Sequence, residues 1–207
     1  MDWHTWHEDY DQPGSRLAQR LPIVQARIVE ALDNAGPGSL KVISMCAGQG
    51  HDILGVLTDH PRRHDVSARL VELDPRNVAV AENTARSAGL DKVEVVAADA
   101  GLFDQYKGMM PADVVLACGV FGNILDEDIQ RTISGCRELC KTGGSVIWTR
   151  RRSAPDQVPQ ICAWFEEQGF ERQWLSDASW DFGVGMHRFV GEPQPFSSRR
   201  MFTFRSK

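Results

Sequence analysis

Three short stretches of this chain carry residue types suited to holding a small ligand of several parts. The first runs Val42-Ile43-Ser44-Met45-Cys46-Ala47-Gly48-Gln49-Gly50-His51-Asp52. Glycines at 48 and 50 let the backbone turn sharply and approach a ligand that a Cβ would repel. A helix expected from about Asp52 aims its free N–H groups at the same place. The second stretch is Val71-Glu72-Leu73-Asp74-Pro75, about 20 residues beyond the glycines, where a carboxylate can accept hydrogen bonds from both hydroxyls of a ribose. Glu72 is preferred for that role over Asp74, because Asp74-Pro75 reads as a helix cap. The third is Val96-Ala97-Ala98-Asp99-Ala100, whose acid is suited to accept from an adenine exocyclic amine.

Such tips must be held together by a scaffold, and the chain between Gly38 and Arg150 supplies one. Apolar runs at Leu40 to Cys46, Ser67 to Leu73, Lys92 to Ala97, Asp113 to Cys118 and Ser145 to Arg150 read as strands. They are rich in Val, Ile and Leu and mostly lack polar alternation, as when helices cover both faces of a parallel sheet. Helices are expected between them. Arg76 to Ser87 is full of helix formers and ends before Gly89, and Asp126 to Cys140 opens with three acids at its positive end. Lys141 and the Gly143-Gly144 turn should stop the latter. Leu17, Leu21, Val24, Ile28 and Leu32 mark an amphipathic helix upstream, which Pro22 either kinks or begins. Downstream, a helix carrying Val158, Ile161, Cys162 and Phe165 leads to Phe170 to Leu175 and a last strand, Met201 to Phe204. With no helix between them, these two should pair antiparallel. The expected fold is a doubly wound α/β sheet, mostly parallel and seven-stranded, with helices on both faces and an antiparallel C-terminal strand pair. Residues 1–37 form a helical cap or lid segment and residues 38–207 the main domain.

This pattern resembles the class I S-adenosylmethionine-dependent methyltransferases over roughly Gly38 to Gly144. The run Leu139-Cys140-Lys141-Thr142-Gly143-Gly144 matches that family's approach to strand five, and Gly169-Phe170 onward fits its closing strands. The resemblance implies S-adenosylmethionine as cofactor. It implies that Ala47, Gly48 and Gly50 face the methionine and ribose, that Glu72 binds the ribose and that Asp99 binds the adenine. Cys46, Gln49, Asp52, Leu73, Ala100, Cys118 and Gly119 complete the expected cofactor set. Cys46 stands where the family often has an acid and Asp52 where it often has a third glycine, a Cys-x-Gly-x-Gly-x-Asp form that some members use. A nicotinamide-dependent oxidoreductase is the weaker reading, since its third glycine would fall at Ile53. A protein that binds the cofactor without catalysis is the other alternative.

The acceptor and any catalytic base are less legible. Cys118 to Ile124 should meet the acceptor but lacks the Asp/Asn-Pro-Pro-aromatic pattern of enzymes that methylate nucleic-acid bases or protein glutamine, so a small-molecule acceptor is expected. Phe121 and Asn123 there serve equally well as packing and cap. Trp3, Trp6, His7 and Tyr10 fall on one face of a short helix, either docking on the domain or forming a lid. Arg150, Arg151 and Arg152 are solvated loop or a clamp for an anionic acceptor, and His187, expected in a late loop, is a core histidine or a general base. The net charge of −5 argues against a nucleic-acid partner. No apolar run could span a membrane. The five irregularly spaced cysteines read as reduced core thiols of a cytoplasmic protein with no metal site. Nothing fixes an oligomeric state.

Overall fold

A computed structural model describes residues 7–205, with side chains from residue 9 onward. Seven strands form one sheet: β1 (Leu40–Met45), β2 (Val66–Glu72), β3 (Val93–Ala97), β4 (Ala112–Ala117), β5 (Cys140–Arg151), β6 (Phe170–Leu175) and β7 (Phe182–Phe189). Their order across the sheet is β3-β2-β1-β4-β5-β7-β6. The pairs from β3 to β5 are parallel, and β7 runs antiparallel to both β5 and β6. The chain winds outward from β1 in one direction and from β4 in the other. Their carboxyl ends therefore open a crevice at the switch point, where sheets of this kind bind ligands.

Helices α1 (Arg16–Asn34), α2 (Ile53–Asp59), α3 (Pro75–Ser87), α4 (Asp126–Leu139) and α5 (Val158–Glu167) flank the sheet. Helix α1 begins at Ser15, whose hydroxyl accepts from the Ala18 N–H at 3.0 Å, and Pro22 lies inside one continuous helix. Its stripe of Val24, Ile28 and Leu32 shares a core with Leu40, Ile53 and Leu57. Side chains of this size, fully removed from water, contribute about 1.5–3 kcal/mol each. On the other face Phe103, Phe121, Ile133, Trp148 and Phe165 form a second, aromatic-rich core. Among the described residues, no helix is long and apolar enough to cross a membrane.

The expected strand ends hold to within a residue or two along β1 to β4, and three expectations need correction. Strand β5 starts at Cys140, so Gly143 and Gly144 lie within it, beside a register shift against β4. An added Cβ at Gly144 would come 2.8 Å from the Ala112 carbonyl oxygen, so this strand needs glycine for close backbone approach. The seventh strand is Phe182–Phe189 rather than Met201 to Phe204. Two glycines and a polar residue, Gly183, Gly185 and His187, obscure an element that is buried on both faces. Met201 and Phe202 are apolar because they cover the carboxyl edge of the sheet, and Arg200 makes only an isolated bridge to Leu102.

The third correction concerns His187, which sits fully buried in the middle of β7 and off the crevice. Its Nδ1 accepts from the Trp148 indole N–H at 3.1 Å, its ring stacks on Phe165 at 4.6 Å, and its Nε2 reaches no partner among the described residues. Burial, with the nearby Arg172 charge, pulls its pKa down from 6.5 to about 3. The folded state thus binds fewer protons than the unfolded chain between those values, and stability falls as pH drops below 6.5. Each pH unit costs about 1.4 kcal/mol while the gap persists. Urea melts should show a loss of about 2 kcal/mol between pH 6.5 and 5, much reduced in His187→Gln, which keeps an acceptor for the indole. An equally steep loss in that variant would mean that other groups set the pH dependence.

Candidate cofactor and acceptor site

The tips of β1, β2 and β3 are tied to one another by main-chain and carboxylate bonds. Beyond Met45 the chain turns at Cys46, whose φ of 49° places a non-glycine residue in the left-handed region, a local cost of about 1–3 kcal/mol tolerated at ligand sites. The Ala47 N–H then donates to the Val71 carbonyl at 3.0 Å, and the Gly48 N–H to Glu72 Oε2 at 2.8 Å. Glu72 Oε1 accepts from the Asp74 N–H at 2.8 Å, and the Glu72 carbonyl accepts from the Ala98 N–H at 2.9 Å. The buried Glu72 carboxylate is therefore held by both oxygens with lone pairs to spare. Asp74 is committed elsewhere. It caps α3, accepting from the Arg76 N–H at 2.9 Å, and forms a two-point pair with the Arg76 guanidinium.

These tips surround a cavity of about 690 Å³. From the sequence-expected set, Cys46, Ala47 and Asp52 line it from the glycine turn, Glu72 and Leu73 from β2, Asp99 and Ala100 from β3, and Cys118 and Gly119 from β4. Gly48, Gln49 and Gly50 are not on its wall. Gly48 anchors Glu72, Gln49 Nε2 donates to Asn77 Oδ1 at 3.2 Å, and Gly50 serves packing. An added Cβ at Gly50 would lie 2.7 Å from Leu54 Cδ1 and 3.0 Å from Leu70 Cδ2, so this glycine lets α2 settle on β2 rather than admitting a ligand. Leu73 is 69% exposed beside two carboxylates, an apolar surface that a flat base would cover.

Burial raises the pKa of Asp52, although the Ile53 N–H, which it accepts at 2.7 Å, and the nearby Arg20 oppose the rise. Burial also raises the Cys46 and Cys118 thiols, which argues against either acting as a nucleophile. Tyr10 closes this end of the cavity with its ring 4.7 Å from that of His51, and burial moves its phenol up to about 12. The rest of the aromatic stripe, Trp3, Trp6 and the His7 side chain, lies outside the described residues. Phe121 packs against Trp148 and Phe165, and Asn123 Nδ2 donates to the Gly119 carbonyl at 2.7 Å. The three arginines after β5 do not form a loop at the cavity. Arg150 and Arg151 belong to β5, Arg150 donates to the Phe121 carbonyl, and Arg152 pairs with Asp156.

Several wall residues were not singled out in the sequence. Arg20 comes from α1, and Arg200, Phe202, Thr203 and Phe204 come from the C-terminal segment. The buried Arg20 offered a signal, a charge on the buried side of an amphipathic helix. Arg200 offered none, because a single charge next to an apolar run fits an edge strand equally well.

A family model described as a methyltransferase domain matches residues 44–146. No curated protein matches. Among solved structures, magnesium protoporphyrin IX methyltransferase from Synechocystis PCC 6803 with bound S-adenosylmethionine is similar with a TM-score of 0.66 at 13% identity, over 92% of this chain and 98% of that one. A TehB-like S-adenosylmethionine-dependent methyltransferase from Corynebacterium glutamicum gives 0.62 at 14% identity, over 90% and 95%. An O-methyltransferase family protein from Burkholderia thailandensis gives 0.62 at 16% identity over 81% of this chain, which spans only 56% of that protein. At these identities the likeness shows the fold alone. The match from β1 into β5 marks a methyltransferase domain, and the seven-stranded sheet with its reversed β7 is the fold shared with these S-adenosylmethionine-dependent methyltransferases.

Proposed function

We propose that this chain transfers the methyl group of S-adenosylmethionine to a small-molecule acceptor. The carrying observation is the convergence of three tied strand tips, bearing Cys46 and Ala47, Glu72 and Leu73, and Asp99, on one cavity. About 690 Å³ is within the usual range for small-molecule sites, roughly 300–1,000 Å³, and is room for a nucleoside cofactor and a modest acceptor. The residues fit the cofactor. Glu72 has lone pairs left for two ribose hydroxyls, Leu73 offers an apolar face to the base, and Asp99 accepts from its exocyclic amine. Asp52, beside Arg20, presents opposite charges to the ammonium and carboxylate of the methionine end.

When bound, S-adenosylmethionine supplies a methyl group on a sulfonium centre already activated for displacement. The chain's own residues then need only align the acceptor, exclude water and receive a proton where the acceptor carries one. Cys118 and Gly119 lie at the β4 tip on the acceptor side, and Tyr10, from the segment before α1, lines the same cavity, which supports a capping role for that segment. The absence of an Asp/Asn-Pro-Pro-aromatic segment after β4 and the net charge of −5 support a small acceptor over a nucleic acid. Five free thiols support a reducing, cytoplasmic setting.

Two measurements test this reading. Calorimetry should show adenosylhomocysteine binding in the micromolar range or tighter, and labelled methyl groups should move to a member of a small-acceptor panel. Failure to bind adenosylhomocysteine would end the proposal. Deleting the residues before Gly14 should slow turnover at least tenfold if that segment closes the acceptor end. Unchanged turnover and acceptor affinity would leave it a docking segment only.

A further inference from the structure

The C-terminal segment crosses the carboxyl edge of the sheet as a fixed strap, and it supplies one wall of the cavity. At its start the Phe103 N–H donates to the Arg199 carbonyl at 2.9 Å, and the Met201 N–H donates to the Gly101 carbonyl at 2.7 Å. Further on, the Thr203 N–H donates to Asp128 Oδ2 at 2.9 Å and the Arg205 N–H to the Asn123 carbonyl at 2.8 Å. Met201 and Phe202 are buried. The strap thus runs from the loop after β3 to the loop after β4, passing the two tips that bracket the cavity.

Where it passes β3, one side chain enters the site. Arg200 Nη1 donates to Asp99 Oδ2 at 2.8 Å and to the Phe202 carbonyl at 3.3 Å, while Asp99 Oδ1 accepts from the Gly101 N–H at 2.8 Å. The Asp99 carboxylate is therefore held at both oxygens, one from its own loop and one from the strap. Gly101 makes this approach feasible. An added Cβ there would meet the Phe202 carbonyl oxygen and lie 3.1 Å from Asp99 Oδ1 and 3.2 Å from Arg200 Nη1. Two segments far apart in the chain, the loop after β3 and the strap, are thus packed so that neither can shift alone.

We propose that Arg200, delivered by the C-terminal strap, is a positioning residue for the nucleoside half of the cofactor. It fixes the Asp99 carboxylate in the orientation that selects an amine-bearing base. Each carboxylate oxygen keeps one lone pair after these bonds, so the pinned group still accepts from an exocyclic amine and repels a carbonyl at the same place. A free carboxylate would have to lose rotational freedom on binding and would discriminate less. The inference rests on the methyltransferase reading, because it takes the nucleoside to be the adenosine of that cofactor.

The test is calorimetry with adenosylhomocysteine and with its inosine analogue, in which a carbonyl replaces the exocyclic amine. The wild-type chain should prefer the adenosine compound. Arg200→Met should weaken that compound about threefold to fivefold, the range of a half-exposed ion pair, and leave the inosine analogue nearly unchanged, so that the preference narrows. Arg200→Lys should restore most of it. Gly101→Ala, which forces strap and carboxylate apart, should narrow the preference at least as far. Unchanged or tighter adenosylhomocysteine binding in Arg200→Met overturns the proposal. So does an equal loss for both ligands, the mark of a residue that only ties down the strap. If the wild-type chain binds neither compound, the methyltransferase reading has failed before Arg200 is tested.

Discussion

Replacing Glu72 by alanine is expected to weaken adenosylhomocysteine binding by roughly 30-fold to 100-fold. Two contributions act in the same direction. The carboxylate is the only buried acid at the tip of β2, and hydrogen bonds to a charged acceptor contribute about 1.5–3 kcal/mol. Losing those made to a ribose accounts for a factor of 10 or more, at about 1.4 kcal/mol per tenfold. The same carboxylate also accepts from the Gly48 and Asp74 N–H groups, so its removal frees the glycine turn from the neighbouring strand. Glu72→Gln keeps the shape and one acceptor oxygen, and should fall between alanine and the wild type. Calorimetry on the three proteins decides the matter. Equal affinities would show that the β2 tip does not hold the nucleoside.

The largest expected effect on stability lies away from the site. Gly185 stands in β7 opposite Trp148 of β5, and an added Cβ would penetrate the indole, 2.7 Å from Nε1. Trp148 cannot retreat. It is fully buried, packs at 6.1 Å against Phe165, and donates its N–H to His187. Overpacking of a dense core costs about 1–3 kcal/mol, and breaking the buried indole bond adds about 1–3 more. Gly185→Ala should therefore lose about 2–6 kcal/mol, lowering Tm by roughly 4–24 °C for a domain of this size. Gly36→Ala, where nothing lies within 4 Å of the added Cβ, should melt like the wild type. A Gly185→Ala chain that melts with it would mean the indole has room to move.

What could be read in the sequence followed from how each element is buried. The inner strands β1, β2 and β4 are covered on both faces, so their apolar runs marked them and their tips. Glu72, Asp99 and the glycine turn were legible because each interrupts such a run at its end. Strand β7 is equally buried but was hidden. Gly185 and Gly183 are small because Trp148 and Val158 press on them, and His187 is admitted because Trp148 supplies its bond. Gly50 was legible as a turn glycine, but its reason, contact with Leu54 and Leu70, depends on how α2 meets β2. Arg200 is set by tertiary packing alone, since it reaches the cavity from a segment far outside the central pattern, whereas Arg20 left only the trace of a charge on the buried side of α1.

The most direct test is a crystal structure of the chain with adenosylhomocysteine. The expected complex has the ribose hydroxyls within hydrogen-bond distance of Glu72, the base over Leu73 with its amine at Asp99, and the homocysteine end beside Asp52 and Arg20. A ligand bound elsewhere, or one whose ribose makes no contact with Glu72, would contradict the account.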